Sequence, residues 1–253
     1  MNSIVNKNLS YKIIFGLILI SFFVPFKGLM AEESISIVLD EKTVKKGYTV
    51  KSSDENIVLT FLPNFTKKNP EGISVILNDL GKDPTLLPIT KDFISNLYEV
   101  EIGTKNFIEP YILDLKYATA NDSARAVYFY NPYSKKWSAV NNAVINKEKK
   151  TYRLKLTLPY VKLAVLEEKP LIGKASWYKC KGGLYAASVD YPRKSFLKVT
   201  NLDNNKSVVV KVNDYGPDKK IFPDRVIDLD VVAFKKIASK SKGVINVKVE
   251  KMP

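Results

Sequence analysis

Between Ser34 and about Glu168, apolar and polar residues alternate in short runs broken by turn residues, with hardly a helical period anywhere. The runs Ile35 to Leu39, Tyr48 to Lys51, Ile57 to Leu62, Ile73 to Leu77, Tyr98 to Ile102, Tyr111 to Tyr117, Ala126 to Tyr130, Thr151 to Leu156 and Tyr160 to Leu166 predict strands. Their spacing predicts an antiparallel β-sandwich over residues 32–168. Asn131-Pro132-Tyr133-Ser134 and Asn146-Lys147-Glu148-Lys149 read as turns, which makes the end of this region a meander of hairpins. Trp137, just after the first turn, is expected to pack rather than to offer a platform for a sugar. The acids here are scattered and suit solvated strand faces, so spacing, adhesion or presentation is the expected task.

Glu167-Glu168-Lys169-Pro170 reads as a short joint, because Pro170 discourages continuous pairing. Beyond it, runs starting at Gly173, Lys198, Val208 and Arg225 predict strands, with a hairpin turn at Leu202-Asp203-Asn204-Asn205-Lys206. Asp230 is a candidate N-cap for a helix from Val231 to Ala238, whose Val231, Phe234, Ile237 and Ala238 share one face. Gly243 ends that unit and Val244 to Val249 alternates as a last strand.

At the other end, Lys7 and Lys12 precede an apolar run from Ile13 to Phe26, followed by Gly28-Leu29-Met30-Ala31. This is the grammar of an export signal over residues 1–31, and it predicts a secreted or cell-envelope protein. The run is shorter than a membrane span needs, so a membrane is met only through an uncleaved signal. A chain of 253 residues, 45% hydrophobic and 11% aromatic, suits two folded domains after cleavage. The single cysteine, Cys180, allows no intramolecular disulfide and reads as an inert thiol. The formal charge of +14 comes from lysines spread along the chain, without a basic cluster interleaved with aromatics. No nucleic-acid partner is expected, whereas anionic envelope polymers are candidate partners. The absence of histidine removes one common base and metal ligand at once, and neither a metal nor a cofactor is expected.

Gly173-Lys174-Ala175-Ser176-Trp177-Tyr178, Val199-Thr200-Asn201-Leu202, Asn213-Asp214-Tyr215-Gly216-Pro217 and Arg225-Val226-Ile227-Asp228-Leu229 occur in that order. Together they resemble the rare lipoprotein A family over residues 171–253. The resemblance implies a six-stranded double-psi β-barrel with a short helix, kin in fold to expansins and barwin-like proteins. It also implies a substrate, the glycan strands of peptidoglycan. Some members are lytic transglycosylases, which cleave the β-1,4 bond after N-acetylmuramic acid without water and leave a 1,6-anhydro ring. The family's acid falls on Asp214. A carboxyl at the lip of an apolar groove, kept protonated by burial, suits a general acid, and once ionised it can take the proton of the sugar's 6-hydroxyl. The resemblance places Ser176, Tyr178, Ser188, Tyr215, Arg225 and Asp228 around the substrate.

Arg225 and Asp228 are expected to pair and fix the helix entry. Trp177 and Tyr178 occupy alternate faces of a strand, with Tyr178 expected to face the groove. Two departures stand out. Ser188, ahead of Tyr191-Pro192-Arg193-Lys194-Ser195, replaces the family's histidine and cannot ionise near neutral pH. The stretch from Tyr178 to Ala186 is short for the family, which predicts a more open groove. Three readings therefore stay open: a lytic transglycosylase with Asp214 as acid and base, a non-catalytic module that binds or loosens the wall as expansins do, and an inhibitor or adhesin that uses the barrel only as a scaffold. N-terminal sequencing of secreted protein is expected to find a mature end close to Glu32; recovery of the intact Met1 end in the membrane fraction would show an anchor instead.

Overall fold

The computed structural model describes residues 33–67, 71–118 and 124–252. The predicted signal, Met1 to Ala31, lies outside them. Strand alternation builds the first part: β1 (Glu33–Leu39), β2 (Tyr48–Lys51), β3 (Ile57–Phe61), β4 (Ile73–Asp79), β5 (Lys91–Phe93), β6 (Tyr98–Ile102), β7 (Tyr111–Lys116), β8 (Arg125–Asn131), β9 (Lys136–Ala139), β10 (Val144–Asn146), β11 (Thr151–Leu156) and β12 (Tyr160–Glu168). One sheet runs β1-β4-β6-β12-β8-β9, with β5 also on β12, and the other runs β10-β11-β7-β3-β2. All these pairings are antiparallel. Ile57, Leu59 and Phe61 of one sheet and Val75, Leu77 and Val100 of the other belong to one buried core, as the period of two requires.

Four elements here go beyond the sequence reading. A helix α1 (Glu41–Lys46) begins where the Asp40 carboxylate accepts the Thr43 N–H at 2.8 Å, and ends at Gly47 with φ +78°. The strands β5, β9 and β10 span three or four residues, too few to show a period. Trp137 packs on Phe93 and Tyr130, and its indole N–H donates to the Leu86 carbonyl at 2.8 Å. It is held as packing, in line with the expectation.

The second part is a closed barrel in the order β13-β17-β14-β16-β15-β18. Its strands are β13 (Leu171–Tyr178), β14 (Tyr185–Ala187), β15 (Phe196–Asn201), β16 (Ser207–Asp214), β17 (Arg225–Asp230) and β18 (Val244–Lys251), with helix α2 (Val231–Ile237) after β17. The pairs β13/β17 and β14/β16 are parallel and the rest antiparallel. Leu197, Val199, Val210, Val212, Ile227, Leu229, Val247 and Val249 fill the interior, and Phe234 and Ile237 of α2 join them.

The ends of α2 are closed by side chains. Asp230 is wholly buried, yet one oxygen caps the helix at Val232 N–H and the other accepts the Gly182 N–H, each at 2.9 Å. Asn201 and Asn204, from the β15–β16 hairpin, both donate to the Ile237 carbonyl at the far end.

The joint is tighter than its composition suggests, since pairing runs through Glu168 and resumes at Leu171. One Glu168 oxygen meets Lys91 Nζ at 2.6 Å and Lys251 Nζ, on β18, at 3.2 Å. The barrel core and the sandwich core are nevertheless separate clusters. A fragment of residues 171–253 is therefore expected to fold alone and unfold cooperatively in denaturant, and an aggregated or unfolded fragment would show the boundary near Pro170 to be wrong.

Candidate functional site

The site starts from one irregularity of pairing. Along the parallel strands β14 and β16, Ala186 stands opposite Val212, but Ala187 stands opposite Asp214. Asn213 is thus an extra residue in β16, a bulge. Strict alternation would send Asp214 to the same face as Val212, which is in the core. The bulge turns it to the other face, level with Ala187. Ala187 also pairs with Asp228 of β17, and Asp228 with Ser176 of β13. Asp214, Ala187, Asp228 and Ser176 therefore form a row across four neighbouring strands.

Within the row, the buried Ser176 hydroxyl donates a short hydrogen bond to Asp228 Oδ1. The turn after Asp214 folds back over it: a Cβ on Gly216 would lie 3.5 Å from the Ala187 Cβ and 3.7 Å from Asp228 Oδ2. Space is sufficient, but φ +155° at this position favours glycine. Asp214 itself accepts the Tyr215 N–H at 2.8 Å and has the Arg193 guanidinium 3.5 Å away. Its side chain is 48% exposed, so the expected shielding by an apolar groove is not met. It is the last residue of β16, where the chain leaves the sheet.

Ser188 is buried but does not present its hydroxyl to Asp214. Its Oγ accepts the N–H groups of Asp190 and Tyr191, each at 3.2 Å, and its own N–H donates to the Asp214 carbonyl at 3.2 Å. It holds a turn and anchors that turn to the backbone of the acid. Lys219 secures the same turn from the other side, 3.2 Å from Asp190 Oδ2, while donating to the Arg225 carbonyl at 2.6 Å.

Trp177 packs against the barrel core and donates to the Lys240 carbonyl. Tyr178, one residue on, has a buried hydroxyl within reach of the Cys180 thiol. Burial first, then the adjacent Cys180 thiol and the charges of Asp214 and Asp230, push that hydroxyl well above its ordinary titration range. It bears its proton at any physiological pH. Tyr215 stands 75% exposed beside the acid.

Arg225 does not pair with Asp228, as the sequence suggested. Val226 is an extra residue in β17, because Arg225 stands opposite Lys174 and Ile227 opposite Ala175. Arg225 is thereby set one step further along the face, and its guanidinium lies 3.7 Å over the Phe222 ring. Among the described residues, no group of three or more acids and cysteines could hold a metal ion.

A family model described as lytic transglycolase matches residues 172–249. Over 94 residues the chain is 43% identical to the endolytic peptidoglycan transglycosylase RlpA of Pseudomonas aeruginosa, covering 32% of this chain and 27% of that one. Over 93 residues it is 44% identical to the RlpA of Vibrio cholerae, covering 31% and 34%. The C-terminal domain is an RlpA-like double-psi β-barrel. A Clavibacter michiganensis expansin in complex with cellohexaose is also similar, at 19% identity and a TM-score of 0.28, over 33% of this chain and 50% of that one. The chain spans about a third or less of the length of the curated relatives it matches.

In the RlpA-like barrel, the sequence reading overlooked Asn213, Arg193 and Lys219. Asn213 is the bulge itself, and its side-chain oxygen is buried without a hydrogen-bond partner among the described residues; nothing in local periodicity marks it. Arg193 lies inside the segment already singled out around Pro192, so proximity to a family landmark was the available signal. Ser188→Ala is expected to cost about 1–2 kcal/mol, measured by denaturant unfolding, because two backbone donors lose their acceptor in a buried turn. Arg193→Ala, at an exposed pair, is expected to change stability by less than about 1 kcal/mol.

Proposed function

We propose that this is an exported cell-envelope protein whose barrel acts on the glycan strands of peptidoglycan as a lytic transglycosylase, presented by the N-terminal sandwich. The row of Asp214, Ala187, Asp228 and Ser176 carries this reading, since it sets a half-exposed carboxyl in line with fixed polar groups on one face of the barrel. The names borne by the relatives of the barrel support the substrate class.

In the proposed step, protonated Asp214 gives its proton to the glycosidic oxygen as the bond to C1 of the muramic sugar breaks. The carboxylate so formed takes the proton of that sugar's 6-hydroxyl, whose oxygen closes on C1 to give the anhydro ring. One acid serves both halves and no water enters, unlike hydrolysis by a pair of carboxylates. Asp228, oriented by Ser176, accepts from a sugar hydroxyl, while Tyr178 donates and Tyr215 lies alongside the chain.

A second reading, a non-catalytic module that binds or loosens the wall, is favoured by two observations. The hydroxyl that replaces the family's histidine is engaged with backbone, and Asp214 is half exposed. The two readings separate on Asp214→Asn, incubated with glycan stripped of stem peptides and followed by mass spectrometry. A catalytic Asp214 predicts a loss of anhydro-ended products of about 100-fold or more, with binding retained. Wild type that binds glycan but releases no anhydro-ended product establishes the second reading.

A further inference from the structure

A pocket of about 330 Å³ opens next to the row, lined by Lys174, Phe222, Arg225, Asp203, Val244 and Asn246. Its placement follows from the strand register. Val244 is the partner of Ser176, the last member of the row, and Lys174 stands opposite both Arg225 and Asn246. Lys174 and Ser176, two apart on β13, share a face, so the pocket continues the surface on which Asp214 and Asp228 lie.

Its charges cancel. Lys174 is paired with Asp224, which also lines the pocket, at 2.7 Å, and the other two charged lining residues, Arg225 and Asp203, are of opposite sign. No surplus cation is left to hold a phosphate-rich polymer. Phe222 is 37% exposed with Arg225 over its ring, which fixes an aromatic surface at the pocket wall. An immobilised ring flanked by amide, carboxylate and guanidinium groups suits a ligand that is apolar on its ring faces and polar at its edges. The volume lies at the small end of ligand sites, which run from about 300 to 1,000 Å³.

We propose that this pocket is a subsite for an uncharged sugar unit of the glycan, lying along the strand from the unit that meets Asp214. The proposal rests on the glycan reading above and adds a second point of attachment, which holds the chain in register while chemistry proceeds elsewhere.

Calorimetric titration of the full mature chain with a hexamer of N-acetylglucosamine tests it. Phe222→Ala and Asn246→Ala are each expected to weaken binding about tenfold at an unchanged melting temperature, and Phe222→Tyr to restore it. The Asn246 variant keeps the test decisive if Phe222→Ala does not fold. Wild-type affinity in both alanine variants overturns the subsite while leaving the glycan reading in place, as does displacement of the hexamer by a glycerol-phosphate polymer. Wild type that binds neither the hexamer nor stripped glycan overturns both.

Discussion

The candidate site depends on a single extra residue in β16. A strand of strict alternation has two faces, and Val212 and Asp214 would share one. With Asn213 inserted between successive partners of β14, Val212 stays in the core while Asp214 comes level with Ala187 on the outer face. The same device recurs in β17, where Val226 lets Arg225 and Asp228 face the same way although three positions separate them. Two local departures from regular pairing thus gather polar groups from strands that are distant in the chain. Their backbone cost is carried by the closed barrel around them, in which each strand has a partner on both sides.

Rigidity around this face comes from buried polar groups that are satisfied. Asp230 uses both oxygens, one on the helix it starts and one on the segment between β13 and β14. Ser188 binds two N–H groups of its own turn and reaches the Asp214 backbone. Ser188 is thereby a structural fastener. Among the described residues, the Asn213 side-chain oxygen is an exception, buried without a hydrogen-bond partner.

Much of this was legible beforehand where the signal is local. Alternation located the long strands of the sandwich, and an aspartate ahead of an apolar helix face announced the cap at Asp230. Elements of three to six residues, such as β5, β14 and α1, carry too few positions for a period to emerge. The parallel pairings β13/β17 and β14/β16 join segments far apart in sequence, and no run of residues announces such a partner. For that reason Ser176, Asp214 and Asp228 could be named from family motifs, whereas their order across the sheet and their neighbour Ala187 could not. Arg225 shows the limit well: its place three residues before Asp228 suggested an ion pair, and the bulge gave it Phe222 instead.

The joint between the two β-structures carries a mechanical consequence. Only Lys169 and Pro170 separate β12 from β13, so the Cα atoms of Glu168 and Leu171 lie at most about 11 Å apart. Glu168 is clamped at the same time by a lysine from each side. So short a joint restricts how far the barrel can turn about the sandwich. Whatever fixes the orientation of the sandwich also fixes that of the barrel face carrying Asp214.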